Sequence, residues 1–483
     1  MTSKKIKKMP NTHSFFSIPL LQKSIIAIAC SAFFLTGCTV GPDYVRPDID
    51  IPASYKEDGL WKTAQPADEM PKGEWWKIFH DDQLNRLMEQ LNQQNLTIIQ
   101  AEAQYRQTAA YLHQAESTLY PTIDTNISHQ RGMHNTSSNA ITNQIEFTGT
   151  VSWEIDIWGE IRRSIEAGEA NAASSLANIA AVRLSAQAQL AKAYFELRIT
   201  DCQLIRLKES EKLLDESLKL TKNQYNAGIV SDAAVAEAES LLKTAQATTK
   251  DTELSRAQLE HAIAISIGQT PTSFSLSSVT EVPNLPIIPA GIPSLMLQRR
   301  PDIAVAERRV AQANAEIGVA KAAFFPALTL SATGGWRHSS FNDLLTVPNR
   351  IWSIGPAIAL NIFDAGLRRS RTDEAIATYD EMVAAYKQQV LTAFQEVEDN
   401  LSAQKYLHDE VDYQTTALDA AKRAEQIMVN RYQAGTANYI EVLTAQNNRI
   451  NAENTWWNIR KRQFNSVISL IAAIGGHWQP TKD

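Results

Sequence analysis

The chain has 483 residues, of which 44% are hydrophobic and 20% charged, so wholesale disorder is excluded and a folded body of two or three domains is the length-based expectation. Its formal net charge is −7, and no basic excess exists to displace the counterions of a polyanion, which argues against a nucleic-acid partner. Its three cysteines stand at Cys30, Cys38 and Cys202.

The N-terminus carries Lys4, Lys5, Lys7, Lys8 and Lys23, then the apolar run from Ser24 to Leu35. A basic flank before a short apolar core predicts a secretory signal, and the run is short of the ~20 residues a spanning helix needs. Leu35-Thr36-Gly37-Cys38 closes the run and resembles a bacterial lipoprotein box. That likeness implies cleavage after residue 37 and lipidation of Cys38; a buried cysteine in an anchor helix is the alternative. Thr39 follows, where an Asp would imply retention in the inner membrane, so the likeness implies outer-membrane sorting. Loss of residues 1–37, with five lysines and no acid, takes the net charge from −7 to −12. Cys202 is then the one ordinary cysteine, which excludes an intrachain disulfide and leaves it as an inert packing residue.

Residues 38–94 form an N-terminal segment, lipid-anchored through Cys38 on the lipobox likeness and equatorial on the family likeness named below: Ile51 to Pro71 is punctuated by proline, and Asp82 to Gln94 spaces Leu84, Leu87, Met88 and Leu91 along one helical face. The chain then repeats itself. Leu119-Tyr120-Pro121 recurs as Phe324-Phe325-Pro326, Arg162-Arg163-Ser164 as Arg368-Arg369-Ser370, and Asn223-Gln224-Tyr225-Asn226-Ala227-Gly228 as Asn430-Arg431-Tyr432-Gln433-Ala434-Gly435, at offsets of 205, 206 and 207. The first repeat spans 95–270. Asn95 caps a helix that stops before Pro121, and strands follow over 122–131 and 144–157, separated by a polar loop over 132–143. A proline-free helix runs over 160–226, roughly 100 Å at 1.5 Å per residue, and a returning helix covers 232–267. A Pro-rich equatorial linker occupies 271–300. The second repeat spans 301–475: a helix, strands over 327–336 and 351–363, a long helix over 366–433 and a return over 437–475. Residues 476–483 are a tail.

The strand 144–157 alternates without a break. Ile145, Phe147, Val151, Trp153, Ile155 and Ile157 fall on one face, and Gln144, Glu146, Thr148, Thr150, Ser152, Glu154 and Asp156 on the other. A soluble half-buried sheet reads this way, and so does the wall of a pore with Glu146, Glu154 and Asp156 facing its lumen. The length suits a membrane-spanning strand of roughly 9–11 residues. Pro356 inside the last strand predicts a bulge or an unpaired site. Four spanning strands cannot leave open edges in hydrocarbon, and barrels begin at about eight strands, so the chain is expected to oligomerise. Two copies close a filled barrel; three give twelve strands and a channel. The fold class is thus mainly α with a transmembrane β-barrel portion, in two structural repeats, four strands per protomer, with the long helices as a second, α-helical barrel. Ala186, Ala188, Ala191 and Ala193 would let helices approach closely. Trp158, Trp336 and Trp352 suit an interface girdle or ordinary packing.

Over residues about 70–475 the chain resembles the TolC/OprM family of outer-membrane efflux ducts, with the lipobox placing it beside the NodT-type lipoproteins. The likeness rests on Cys38 in its box, Val40-Gly41-Pro42-Asp43-Tyr44, Trp75-Trp76 followed by Phe79 and Asp82, Phe325-Pro326, Asp156-Ile157-Trp158-Gly159 and the paired Tyr-x-Ala-Gly turns. It implies a homotrimer in the outer membrane, extending into the periplasm, docked through a periplasmic adaptor to an inner-membrane pump of the RND type. It also implies a gate on the helix after the second turn, with acids six and nine residues beyond Gly435. Those positions hold Glu441 and Thr444, so one acid is present and one absent. A ring of Glu441 would attract cations; a solvated helix charge is the other reading. The turns Tyr225-Asn226-Ala227-Gly228 and Tyr432-Gln433-Ala434-Gly435 are the expected adaptor contacts.

Arg162, Arg163, Arg368, Arg369 and Arg371 follow the strands, either holding helix starts at lipid headgroups or forming a solvated cluster. His80-Asp81-Asp82 reads as a helix start rather than a metal site. With no His-x-x-x-His pair and no phosphate-cradling loop, no enzyme, metal or cofactor is expected. The expected function is the exit duct of a tripartite efflux system passing small molecules such as drugs. A type I protein-secretion exit is the runner-up, and an outer-membrane adhesin or periplasmic scaffold stands behind it.

Overall fold

The computed structural model describes residues 39–49, 74–133, 141–286 and 300–476. The signal segment, Cys38, most of the loop expected at 132–143, part of the linker and the tail lie outside the described residues. The chain divides into two compact units. The first holds Gln114–Glu166, Ala315–Ala375 and the described residues up to Asp43; the second holds Tyr44–His113, Ala167–Asn314 and Ile376–Asp483.

Seven helices longer than one turn are described, in chain order α1 (Asp82–Gln94), α2 (Leu96–Ser117), α3 (Glu160–Asn226), α4 (Asp232–Ser266), α5 (Pro301–Ala322), α6 (Leu367–Gln433) and α7 (Tyr439–Ala473). The strands are β1 (Thr122–Met133), β2 (Ile141–Ile155), β3 (Ala327–His338) and β4 (Arg350–Ala359). The repeat seen in the sequence is metrical in the fold. α2 and α5 have 22 residues each, β1 and β3 12 each, α3 and α6 67 each, and α4 and α7 35 each.

Local chemistry starts these elements. Asp81 is the N-cap of α1, its Oδ1 accepting from the Leu84 amide at 2.9 Å, and its Oδ2 accepts from the Tyr194 hydroxyl at 2.7 Å. The carboxylate of the His80-Asp81-Asp82 run is therefore spent on capping and packing. Asn95 accepts the Thr97 and Ile98 amides at 3.0 and 3.1 Å to start α2, and its Nδ2 donates to the Ser266 carbonyl at 2.7 Å. One side chain thus satisfies the head of α2 and the tail of α4.

The second unit holds the main core. Trp75 and Trp76 sit in a short 3₁₀ turn, and the α1 face of Leu84, Leu87, Met88 and Leu91 is buried with them. Phe79, Phe195 and Phe464 form a continuous pile, with ring centroids 4.6 and 4.8 Å apart. Ala188 and Ala191 are buried in the same cluster. Beside it Asp201, fully buried, accepts from Arg256 Nε at 2.7 Å and lies 3.5 Å from Arg198 Nη1. The two arginines donate to the Leu276 and Ser277 carbonyls at 2.7 and 2.6 Å, so the start of the Pro-rich linker is stapled to α3 and α4. In the same unit the Tyr44 hydroxyl donates to Glu307 and Arg46 donates to the Tyr386 hydroxyl.

The first unit holds one antiparallel four-stranded meander in the order β1-β2-β3-β4. Thr122 pairs with Ser152, Ile155 with Leu328, and Ala327 with Ala359. Three expectations are corrected. The strand read as 144–157 is Ile141–Ile155, because Asp156 leaves the ladder to receive the Arg162 amide and cap α3. The strand read as 351–363 stops at Ala359, where β3 has no earlier residue to pair with. Pro356 causes no bulge: the register passes through Leu330 and Pro356 unbroken.

Replacing the fully buried Phe464 with alanine removes the end of the phenylalanine pile. Phe464→Ala is expected to cost about 3–5 kcal/mol, seen as a lower urea or thermal midpoint of the purified protein.

Candidate functional site in the sheet wall and helix turns

The registers put every strand in phase. The residues opposite one another on one face are Asp124, Thr150, Thr333 and Ser353, then Ser128, Glu146 and Arg337. The other face aligns Ile127 with Phe147 and Trp336, and Leu328 with Ile155 and Ile358. One face is therefore polar over most of β1 to β3 and carries Ser353 on β4, and the other is mainly apolar, interrupted by Arg131 opposite Asn143 and by Arg350 opposite Trp336. Phe147 and Trp336, directly paired, stack at 5.9 Å on the apolar face. That face is bare where a soluble core would cover it: Ile123 is 74% exposed and Trp352 79%. An apolar sheet face with no covering layer in its own chain is a surface for lipid or a partner.

On the polar face Glu146 is met by Arg337, whose Nη2 donates at 3.1 Å. Glu154 is exposed beside Thr329. Asp156, read from the alternation as a third wall acid, is not one. Its side chain is largely buried, and Arg162 donates to it through its backbone amide at 3.0 Å and its Nε at 3.1 Å. The second repeat rebuilds the device: Asp364 accepts from Arg368 Nε at 2.6 Å, and the hydrogen bonds from Arg368 and the Gly366 amide hold its carboxyl below the usual range. Each long helix thus begins on an aspartate–arginine clasp.

The two turns are alike bond for bond. Gly228 and Gly435 sit at φ +72° and +73°, the left-handed helix end that glycine adopts without strain. The Gly228 amide donates to Tyr225 and the Ile229 amide to Gln224, both at 2.9 Å; Gly435 to Tyr432 and Thr436 to Arg431 repeat this at 2.9 Å. Gln224 Nε2 donates to the Tyr432 hydroxyl, which ties the turns together. Both glycines face open space, and Tyr225 and Ile229 are exposed. Beneath them Leu214, Leu218, Leu242, Tyr439, Val442 and Leu443 belong to a second, smaller core.

Glu441 lies in the first turn of α7 as half of a capping box: the Asn438 side chain accepts its amide at 3.0 Å, and its Oε1 accepts the Asn438 amide at 3.3 Å. Thr444 is exposed, its hydroxyl donating to the Ile440 carbonyl at 2.9 Å. In the first repeat Ser231 is the N-cap of α4, and it makes no side-chain cap bond.

The sequence model of the family described as Outer membrane efflux protein matches residues 87–269 and 292–476. The chain belongs to that family. The Pseudomonas putida probable efflux pump outer membrane protein TtgC is 28% identical over 468 residues, covering 95% of this chain and 96% of its own. The cation efflux system protein CusC of Escherichia coli K12 is 27% identical over 464 residues, covering 92% and 98%. Among solved structures the outer-membrane channel OprN superposes with a TM-score of 0.85 at 28% identity, over 92% of this chain and all of that one. The Campylobacter jejuni CmeC outer membrane channel gives 0.86 at 26%, over 92% and 96%. The fold and the function of the chain are therefore those of an outer membrane efflux channel, and family members are channels rather than enzymes.

In this efflux protein one of the arginines after β2 is not solvated. Arg163 is almost fully buried. It donates to the Val40 and Gly41 carbonyls at 3.2 and 3.4 Å and to Asp43 at 2.8 Å, and its Nη1 donates to Glu166 at 2.7 Å. The Val40 amide in turn donates to the Trp158 carbonyl at 3.0 Å. Trp158 stacks on Phe325 at 4.7 Å and donates to the Pro326 carbonyl. Gly41 sits at φ +103°, and a Cβ there would fall 2.5 Å from the Gly318 Cα. Residues 39–43 are thus a strap seated against the turn between β2 and α3, against α3 and against α5 of the first unit. The sequence flagged Gly41 and Asp43 only as a family mark; nothing local announced that a buried arginine would hold them.

Gly41→Ala combines the disfavoured backbone angle with a backbone clash, a cost of about 1–3 kcal/mol. Amide hydrogen exchange over residues 39–43 is expected to speed up about 10- to 100-fold in this variant, with the exchange of α6 unchanged.

Proposed function

We propose that three copies of this efflux channel close a twelve-strand barrel in the outer membrane and form the exit duct of a tripartite system for small molecules. The observation that carries this reading is the sheet whose polar and apolar faces are in phase over four strands, bare on the apolar side and open at both edges. Hydrocarbon admits no unpaired strand edge, four strands cannot close on themselves, and twelve leave a passage. The polar face then lines water and the apolar face meets lipid. A lining of threonine, serine, asparagine and a few acids offers no fixed recognition geometry, so selection of cargo falls to the pump. The relatives fit this division: one is named a cation efflux system protein, others toluene and antibiotic efflux pump outer membrane proteins.

The remaining roles belong to the same proposal. Cys38, one residue before the seated strap, carries the acyl anchor; each buried CH₂ adds about 0.8 kcal/mol of membrane affinity. The exposed turns Tyr225–Gly228 and Tyr432–Gly435 receive the periplasmic adaptor, and an RND pump stands behind it. Glu441, its rotamer fixed by the capping box, contributes one acid per copy to the periplasmic constriction with Thr444 beside it.

Deleting either turn is expected to leave trimers in the outer membrane and to abolish efflux-dependent resistance, read as trimer bands together with growth on toxic substrates; normal resistance would overturn the docking role. Glu441→Gln keeps a side chain that can complete the capping box and removes the charge. In planar bilayers its cation preference should fall, seen as a shift in reversal potential under a salt gradient, with thermal stability unchanged. An unaltered reversal potential would leave Glu441 a helix cap and nothing more.

A further inference from the structure

We infer the register in which one copy of this sheet pairs with the next: β4 of one protomer runs antiparallel to β1 of its neighbour with Ile362 opposite Ile123, so that Leu360–Ile362 become the last three residues of β4 in the assembled channel. The inference rests on the proposed barrel and adds the pairing that closes it.

Its basis is the internal repeat. β1 and β3 are equivalent at an offset of 205, since Pro121 matches Pro326 and both strands begin one residue later with 12 residues each. Thr122 pairs with Ser152 and its equivalent Ala327 with Ala359, which fixes β2 and β4 as equivalent at an offset of 207. β2 is flanked on both sides, and it runs three residues past Ser152 because Trp153, Glu154 and Ile155 pair with Leu330, Thr329 and Leu328. The equivalents of those three are Leu360, Asn361 and Ile362. Among the described residues of one chain no strand pairs with them, the Asn361 carbonyl accepting instead from Arg368 Nη2 at 2.7 Å, and β4 ends at Ala359, immediately before them. Ile362 is 90% exposed, Phe363 84% and Leu360 53%.

Carrying the β2–β3 pairing through the repeat sets these residues against β1 of a second copy: Leu360 opposite Thr125, Asn361 opposite Asp124, and Ile362 opposite Ile123. The faces agree without adjustment. Asn361 and Asp124 both fall on the polar side, and Ile362 and Ile123 on the apolar side, as do Ile358 with Ile127 and Trp352 with Met133. A slip of one residue would drive isoleucines into the lumen. A slip of two keeps the faces, and only the repeat symmetry rejects it. A second copy is the one partner that supplies an edge with this equivalence on both sides. It also accounts for two long apolar edge strands that would otherwise invite indiscriminate pairing.

The test is a cysteine pair in the full chain, expressed in cells and oxidised in the outer membrane. Ile123→Cys with Ile362→Cys puts two cysteines directly opposite, within the 4.4–6.8 Å Cα span that a disulfide bridges. Background is low, because Cys202 is buried and burial pushes its thiol pKa up. The expected result is a ladder of dimer and trimer on non-reducing gels, at least tenfold stronger than for the two-residue slips Ile123→Cys with Leu360→Cys and Thr125→Cys with Ile362→Cys. A maximum at either slipped pair overturns the register. No cross-link at any pair, in trimers that still conduct in bilayers, overturns the β4–β1 seam and leaves the duct reading intact. A protein that is monomeric and non-conducting overturns both.

Discussion

A peptide N–H or C=O in hydrocarbon has no water to turn to, and each unmet group there costs several kcal/mol. That constraint organises the rest of this chain. It allows the four strands only as part of a closed cylinder and favours a sheet with one mainly polar and one mainly apolar face. It also explains what looks anomalous in one copy. Ile123, Ile127, Trp352 and Ile358 stand bare, and Leu360, Ile362 and Phe363 trail exposed from the end of β4. These are the surfaces a soluble domain would cover and a wall segment leaves to its surroundings.

Below that constraint the long helices stand on short-range chemistry. Each begins with an aspartate that accepts from its arginine, Asp156 with Arg162 and Asp364 with Arg368. Each ends on a left-handed glycine, Gly228 and Gly435. Such runs, roughly 100 Å long, have no single amphipathic stripe to hold them; they are held by the core around Phe195 and Phe464 midway and by the smaller one beneath the turns. The strap at residues 39–43 is of another kind. It is irregular backbone made rigid by one buried guanidinium, and Gly41 is the residue that lets it lie against Gly318.

Period and punctuation made most of this legible beforehand. The alternation over β2, the unbroken helix formers after Gly159 and the duplicated Tyr-x-Ala-Gly turns are local patterns, and local physics produced what they predicted. What escaped reading was non-local. Asp156 obeys the alternation yet leaves the sheet, because a helix start six residues on competes for its carboxylate. Arg163 looks like any surface charge until residues 120 positions away are seen to need it. Glu441 sits where family likeness expects a gate, and in the fold the same carboxylate closes a capping box, a role its spacing from Asn438 already carried. The extent of β4 was legible in a different sense: the pattern ran on to Phe363, while a single chain can order it only as far as β3 reaches.

The near-identity of the two turns hides an inequality. Asn438 and Glu441 lock the first turn of α7 reciprocally, whereas Ser231, at the matching place before α4, makes no side-chain bond to its helix. At the head of α4 the Ala234 amide donates to the Ser231 carbonyl at 3.1 Å, a backbone bond in place of a side-chain one. In the proposed trimer three of the six turns would lead into a helix without that side-chain lock, all of them contributed by the first repeat.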